Sequence, residues 1–200
     1  MISVIIPYIE DRGFLNDAIK SIESQSYTDF EIILSQSKYN GGYNMNRGID
    51  KAKGDYICYL CDDDLLPPDS LKNRLESIKG HDFIHGRGQQ FFENGQIKPW
   101  MLTDPNATLE SILIQNGIMG GTTLYRRELF EEFRWDESLW TAEEYEFHVK
   151  LLYNGMSLGF CDKFVYLYRR WWGQKSLGNT TPEYQQERKN AVEKIKHRYK

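Results

Sequence analysis

Cysteine is scarce, positive charge is not in excess, and no apolar run is long. Three cysteines, Cys58, Cys61 and Cys161, stand in 200 residues. An odd, low count excludes a disulfide framework and suits a reducing compartment, so a cytoplasmic protein is expected. Cys58 and Cys61 form a C-x-x-C pair, but no second pair exists to complete a zinc site. On a strand, residues three apart point to opposite faces, so both read as buried strand residues. The net charge is −4, from 25 Lys and Arg against 29 Asp and Glu. That excludes the basic surface on which general nucleic-acid binding depends. No stretch approaches the length of a membrane span. Met1 runs straight into Ile2-Ser3-Val4-Ile5-Ile6 without a basic leader, so no signal peptide is expected. Internal repeats and low-complexity segments are absent. Pro7-Tyr8-Ile9-Glu10-Asp11-Arg12-Gly13 lacks the glycine-rich phosphate loop that nucleotidyl transfer would want.

What is present is a strand–helix alternation over the first 80 or so residues. Ser3–Pro7 reads as a strand ended by Pro7. Phe14–Gln25 reads as a helix with Leu15, Ala18, Ile19 and Ile22 on one face. Phe30–Leu34 is a second strand, followed by a polar loop over Ser35–Gly42. Tyr43–Lys53 is a second helix, with Gly54 as its C-cap. A third strand begins at Tyr56, and a third helix follows Pro67 and Pro68, capped by Asp69 or Ser70. This order predicts a parallel, doubly wound half with right-handed crossovers.

After His81 the pattern changes. Asp82–His85 reads as a strand and Gln89–Lys98 as a hairpin turning at Glu93-Asn94-Gly95. Thr108–Gln115 is a short helix, Gly121–Tyr125 a strand and Glu128–Phe133 a helical turn. Thr141–Tyr153 is a helix with Gly155 after it, and Phe164–Tyr168 is the last strand. From Pro182 a basic helix carries a narrow stripe of Tyr184, Ala191, Val192, Ile195 and Tyr199. Two fates are open for that stripe: packing back on the domain, or contact with a membrane surface or a partner.

The third strand ends in Cys61-Asp62-Asp63-Asp64. Open α/β sheets place their ligands at the C-terminal ends of strands. Adjacent carboxylates repel by about 4 kcal/mol per pair at 4 Å and an effective dielectric near 20. They therefore face water, shift a pKa or hold a cation. Oxygen-only ligands suit Mg²⁺ or Mn²⁺, whereas the plainer reading is a solvated acidic turn.

Taken together, these segments resemble the family 2 glycosyltransferases of the GT-A fold. The resemblance rests on Ser3–Pro7, Ser24–Ile33, Asn46-Arg47-Gly48-Ile49, Lys53–Ile57 with the Asp cluster, Arg126–Phe130 and Trp135-Asp136-Glu137, and spans roughly residues 2 to 172. It implies an α/β fold with a mostly parallel, Rossmann-like sheet and a small mixed acceptor-side region. Residues 1–180 would form the glycosyltransferase domain, 1–85 the nucleotide-binding half and 86–180 the acceptor half, with 181–200 the basic C-terminal helix.

The implied activity is inverting sugar transfer from a nucleotide sugar, UDP-linked by preference, to a glycan or other hydroxyl acceptor. Manganese or magnesium would assist. Asp63 takes the main metal position and Asp62 lies beside it near the ribose; a register using Asp62 and Asp64 is the alternative. Cys61 stands where the family's first aspartate usually is. Pro7, Ile9, Gln36 and Asn46 fall in the donor-binding segments, with Gln36 where an aspartate commonly meets the base. Arg169, or Arg170, is positioned to pair with diphosphate, and Trp171 replaces a frequent histidine. Glu144 matches the catalytic base, with Glu143 raising its pKa. Gly121, Thr122, Trp140 and Glu143 fall in the acceptor region, where Trp135, Trp171 and Trp172 also cluster. Cys61, Gln36 and Trp171 leave a second reading open, a catalytically degenerate nucleotide-sugar-binding module of the same fold.

Overall fold

The computed structural model describes residues 1–99, 102–171 and 181–200. In chain order the described elements are β1 (Ile2–Tyr8), α1 (Leu15–Glu23), β2 (Phe30–Gln36), α2 (Gly41–Ile49), β3 (Tyr56–Tyr59) and α3 (Ser70–Ser77). There follow β4 (Phe83–Phe92), β5 (Ile97–Pro99), α4 (Leu109–Ile114), β6 (Leu124–Arg126), α5 (Leu129–Glu132), α6 (Glu143–Tyr153), β7 (Leu158–Arg170) and α7 (Pro182–Arg198).

All seven strands join one sheet. β1 lies between β2 and β3 and is parallel to both. β6 pairs antiparallel with β3 and with the start of β4. β4 then pairs antiparallel with β5 and, along its other edge, parallel with β7. The expected α/β architecture is therefore present, and the mixed region begins where β6 enters reversed.

Period-two alternation builds a core on each face. Val4, Ile6, Cys58 and Leu60 face α1 and α3, together with Ala18, Ile22 and Leu71. Ile5, Ile57 and Tyr59 face the other side with Met45, Phe83, Tyr125, Phe130, Trp135 and Phe147. Because both faces are covered, the strands read as continuous apolar runs. Cys58 and Cys61 do pack on opposite sides, as the strand geometry requires.

Several local readings need correction. Pro7 does not end β1; it lies within it, opposite Ser35. β2 continues through Ser35 and Gln36, so Gln36 is a strand-end residue and not a loop residue. α2 starts earlier and stops at Ile49, with Asp50 as its C-cap. Gly54 does not cap it: a Cβ there would press on the Ser3 backbone nitrogen at 2.7 Å, so Gly54 serves the close approach of the chain to β1. Asp69 sits at the cap position of α3 but makes no side-chain cap bond; it accepts instead from the Ser26 hydroxyl at 2.7 Å. Gly120–Thr122 is a 3₁₀ turn, and the strand begins only at Leu124. β7 is far longer than its apolar centre suggested, because pairing with β4 carries it in both directions.

The C-terminal helix packs back. Ile195 is 1% exposed and joins Ile112, Tyr145 and Val149, with Ala191, Val192 and Tyr199 against them. Glu146, buried on α6, accepts from the Tyr199 hydroxyl at 2.6 Å and pairs with Arg198 at 3.3 Å. The apolar stripe therefore packs within the domain.

Candidate active site

The aspartate turn follows directly from β3. Leu65 on its far side exchanges two backbone hydrogen bonds with Leu167 of β7, at 3.0 and 2.9 Å. Strand end and β7 thus hold the turn from both sides, and each acid meets a different fate. Asp64 is 1% exposed; it accepts from the Tyr166 hydroxyl at 2.6 Å and the Arg169 backbone N–H at 2.7 Å. Burial, and next the charge of Asp63, push its pKa well up. Asp62 receives a two-pronged contact from Arg12, at 2.8 and 3.4 Å. Burial raises Asp62 while that guanidinium opposes the shift. Asp63 accepts from the Trp171 indole N–H at 3.1 Å and lies 3.3 Å from the same guanidinium. Of the three, Asp63 and Asp64 line an adjoining cleft of about 750 Å³.

The start of α6 also lines the cleft. Ala142 precedes that helix in the left-handed region, at φ 61°. A non-glycine residue there is uncommon, and such strain gathers at functional sites. Glu143 and Glu144 follow on the first turn, where the helix dipole favours acids. Both line the cleft and both are half-buried. Burial raises the pKa of Glu144 first, and the neighbouring charge of Glu143 second. The Tyr59 hydroxyl and the Arg188 guanidinium pull it back. Gly120 permits this crowding: a Cβ there would run into the Tyr59 hydroxyl and would stand 2.5 Å from Glu144 Oε2.

The predicted residues divide. Asp63, Gly121, Trp140, Glu143 and Glu144 share the cleft, and Trp140 keeps 55% of its surface exposed. Pro7, Ile9 and Gln36 form a separate group at the ends of β1 and β2, where Gln36 Nε2 donates to the Ile9 carbonyl at 3.3 Å. Asn46 lies outside the cleft lining. Its amide donates to the Trp135 carbonyl and to Glu137 and accepts from Trp135 N–H, tying α2 to the loop before α6. Arg169 donates to the Asp63 carbonyl at 2.7 Å and packs its guanidinium over Phe14 and Phe91, so it buttresses the turn from behind. Thr122 is fully buried and bonds to Gly86 N–H and the Met119 carbonyl. Trp135 is core, 3% exposed and stacked on Phe147. Trp172 lies outside the described residues. His148 is locked to the Tyr125 hydroxyl at 2.8 Å inside the core, its pKa pushed down to about 3 by burial.

Arg12, Tyr166, Tyr184, Gln185 and Arg188 also line the cleft. Sequence reasoning passed over their part in the site. Arg12 sits in an aperiodic loop, and Arg188 belongs to the polar face of a helix that looked like a tail. Only the docking of α7 brings Arg188 to the Thr141 hydroxyl, at 3.2 Å.

The profile of "Glycosyl transferase family 2" matches residues 35–134, half of the chain. The chain belongs to glycosyl transferase family 2. The "Amylovoran biosynthesis glycosyltransferase AmsB" of Erwinia amylovora is 31% identical over 160 residues, covering 72% of this chain and 50% of that protein. The "GalNAc(5)-diNAcBac-PP-undecaprenol beta-1,3-glucosyltransferase" of Campylobacter jejuni is 30% identical over 114 residues, covering 42% of this chain and 37% of that one. This family 2 chain thus spans half or less of the length of these relatives. Among solved structures, S. aureus TarS 1-349 in complex with UDP-GlcNAc superposes with a TM-score of 0.69 at 20% identity, over 86% of this chain and 59% of that one. That likeness establishes the shared GT-A fold. The family profile ends before Glu144, so this acid lies outside the matched residues.

Opposite changes of charge around Glu144 carry a pH prediction. A general base must be ionised to accept a proton, so a rate that depends on Glu144 as base is expected to rise with pH through the Glu144 pKa. Glu143→Gln removes a negative neighbour and moves this rise to lower pH. Arg188→Ala removes a positive one and moves it to higher pH. A pH profile of kcat/KM for the two variants checks both signs; shifts in one direction would reject the electrostatic coupling.

Proposed function

We propose that this chain is the catalytic domain of an inverting glycosyltransferase that moves a sugar from a UDP-sugar to a hydroxyl of a glycan acceptor. The observation that carries this reading is that Asp63 and Glu144 line one and the same cleft. Inverting transfer wants a carboxylate base on the face opposite the leaving diphosphate. Glu144 takes the proton of the acceptor hydroxyl as its oxygen bonds to the anomeric carbon. The bond from that carbon to the diphosphate breaks, and its electron pair leaves with the phosphate oxygen. The raised pKa of Glu144 makes it a stronger proton acceptor than an ordinary glutamate. Trp140, exposed on the cleft rim, offers an aromatic face to an acceptor sugar ring.

The base is read as uracil because Gln36 at the end of β2 carries both a donor and an acceptor, and because TarS, of the same fold, is described in complex with UDP and UDP-GlcNAc. A glycan acceptor is in keeping with the amylovoran biosynthesis relative.

A divalent cation fits these residues in one way only. Among the described residues no three His, Cys, Asp or Glu side chains converge to form a cage. Mg²⁺ and Mn²⁺ do not need one, since they take one or two carboxylates and complete their shell with water and substrate phosphates. Asp63, with Asp62 beside it, would hold such an ion, whose contribution is to neutralise charge on the departing diphosphate.

The test is a thermal melt of the chain with Mn²⁺ and, in separate samples, UDP, GDP and dTDP. A ligand at 100 times its Kd adds about 2.7 kcal/mol, or about 5–10 °C for a chain of this size. UDP is expected to give the largest shift. No shift with any of the three would sink the reading.

A further inference from the structure

Arg12 stands where a cation at Asp62 and Asp63 would be placed. Its guanidinium contacts Asp62 Oδ1 at 2.8 Å and Asp63 Oδ2 at 3.3 Å, and both carboxylates are nearly closed to water. Trp171 completes the arrangement. Its indole N–H donates to the same Asp63 oxygen at 3.1 Å, and its ring lies 5.6 Å from the Arg12 guanidinium carbon. An indole only donates and cannot ligate a metal. Cys61, which opens the turn, is a thiol where the family pattern has a carboxylate. Two departures from the family pattern, Cys61 on the turn and Trp171 after β7, therefore stand beside the same pair of acids. A thiol and an indole flank a pair of acids that already share one arginine.

We infer that Arg12 is the resident counter-cation of Asp62 and Asp63, and that it must transfer to the nucleotide diphosphate before a divalent ion can bind. The inference rests on the proposed donor reading of this cleft. A free dication would meet a full positive charge at the oxygens it needs. A diphosphate removes the conflict, because a planar guanidinium pairs with phosphate oxygens as readily as with carboxylate. Arg12 already lines the cleft and is one-third exposed, so it has a side open to the ligand. Gly13, next in the chain, sits at φ 91° with nothing within 4 Å of where a Cβ would be, which leaves the loop room to turn. Ion and nucleotide then bind interdependently.

The experiment measures Mn²⁺ binding by the loss of the free-ion electron paramagnetic resonance signal, with and without UDP. It compares the wild-type chain with Arg12→Gln. Wild-type protein is expected to bind Mn²⁺ at least tenfold more tightly with UDP than without. Arg12→Gln should bind Mn²⁺ alone at least tenfold more tightly than wild type does alone, and UDP should add little more. Equal affinity of the two proteins for Mn²⁺ alone would overturn the inference. A second measurement needs no variant: by reciprocity, Mn²⁺ must strengthen UDP binding to wild type by the same factor. UDP binding that Mn²⁺ changes less than twofold would overturn the role of Arg12 while leaving the donor reading intact. Absence of UDP binding under all conditions would remove that reading and the inference with it.

Discussion

Glu144→Gln is expected to lower kcat by about 10²- to 10⁴-fold, the range that a positioned general base supplies, while leaving UDP affinity within about twofold. The substitution keeps the shape of the side chain and removes the ability to take a proton. At the same time it relieves a strain of burial, because Glu144 is held half-buried beside Glu143 and its pKa is raised for both reasons. The variant should therefore be as stable as wild type or slightly more so, which separates a chemical defect from a folding defect. Sugar-nucleotide hydrolysis and transfer to a glycan acceptor, measured beside a UDP titration, check the two halves. Full transfer activity in Glu144→Gln would remove this residue as the base. Donor binding without any turnover by the wild-type chain would instead favour the non-catalytic module.

Gly121→Val is expected to cost about 3 kcal/mol of stability and to abolish donor turnover. A Cβ at Gly121 overlaps the ring atoms of Tyr166, and forcing added carbon into a packed site costs about 1–3 kcal/mol by itself. The ring cannot yield freely. Its hydroxyl donates to the buried Asp64 at 2.6 Å and accepts from the Cys61 backbone N–H at 3.3 Å. Moving it strips one partner from a carboxyl group that has almost no access to water, and leaving a buried polar group without its partner adds about 1–3 kcal/mol. The loss passes to activity because Asp64 and Asp63 are neighbours on one turn. Tyr166→Phe isolates the second contribution. It keeps the ring and the space, and should show a smaller loss, about 1–3 kcal/mol. Chemical denaturation of both variants checks the order; equal stability of Gly121→Val and wild type would show that the ring moves aside at no cost.

Sequence and tertiary structure divided this protein along a physical line. Local periodicity was enough for the parallel half: Val4 and Ile6 against Ile5, and Cys58 and Leu60 against Ile57 and Tyr59, alternate because a strand buried on both faces sends neighbours to opposite sides. The acid cluster was legible for the same reason, since an apolar strand that stops at three carboxylates and two prolines must end there. Glu143 and Glu144 were legible as the first turn of a helix. The extent of β7 was not, because its ends are held by pairing with β4 and not by their own residues. Nor was the buttressing role of Arg169, set by Phe14, Phe91 and the Asp63 carbonyl from three other segments.

The same holds most strongly within the site. By itself the sequence determined that three aspartates meet at a strand end and that an acidic helix start lies downstream. Only the tertiary structure decided how the three differ: Asp64 is enclosed by Tyr166, Asp62 is held by Arg12, and Asp63, shared between Arg12 and Trp171, lines the same cleft as Glu144. It also decided that α7 returns to place Arg188 beside Thr141. Charge and hydrogen-bonding capacity belong to each residue, but which partner meets them depends on segments far apart in the chain. Those meetings are fixed by packing, which no local pattern records.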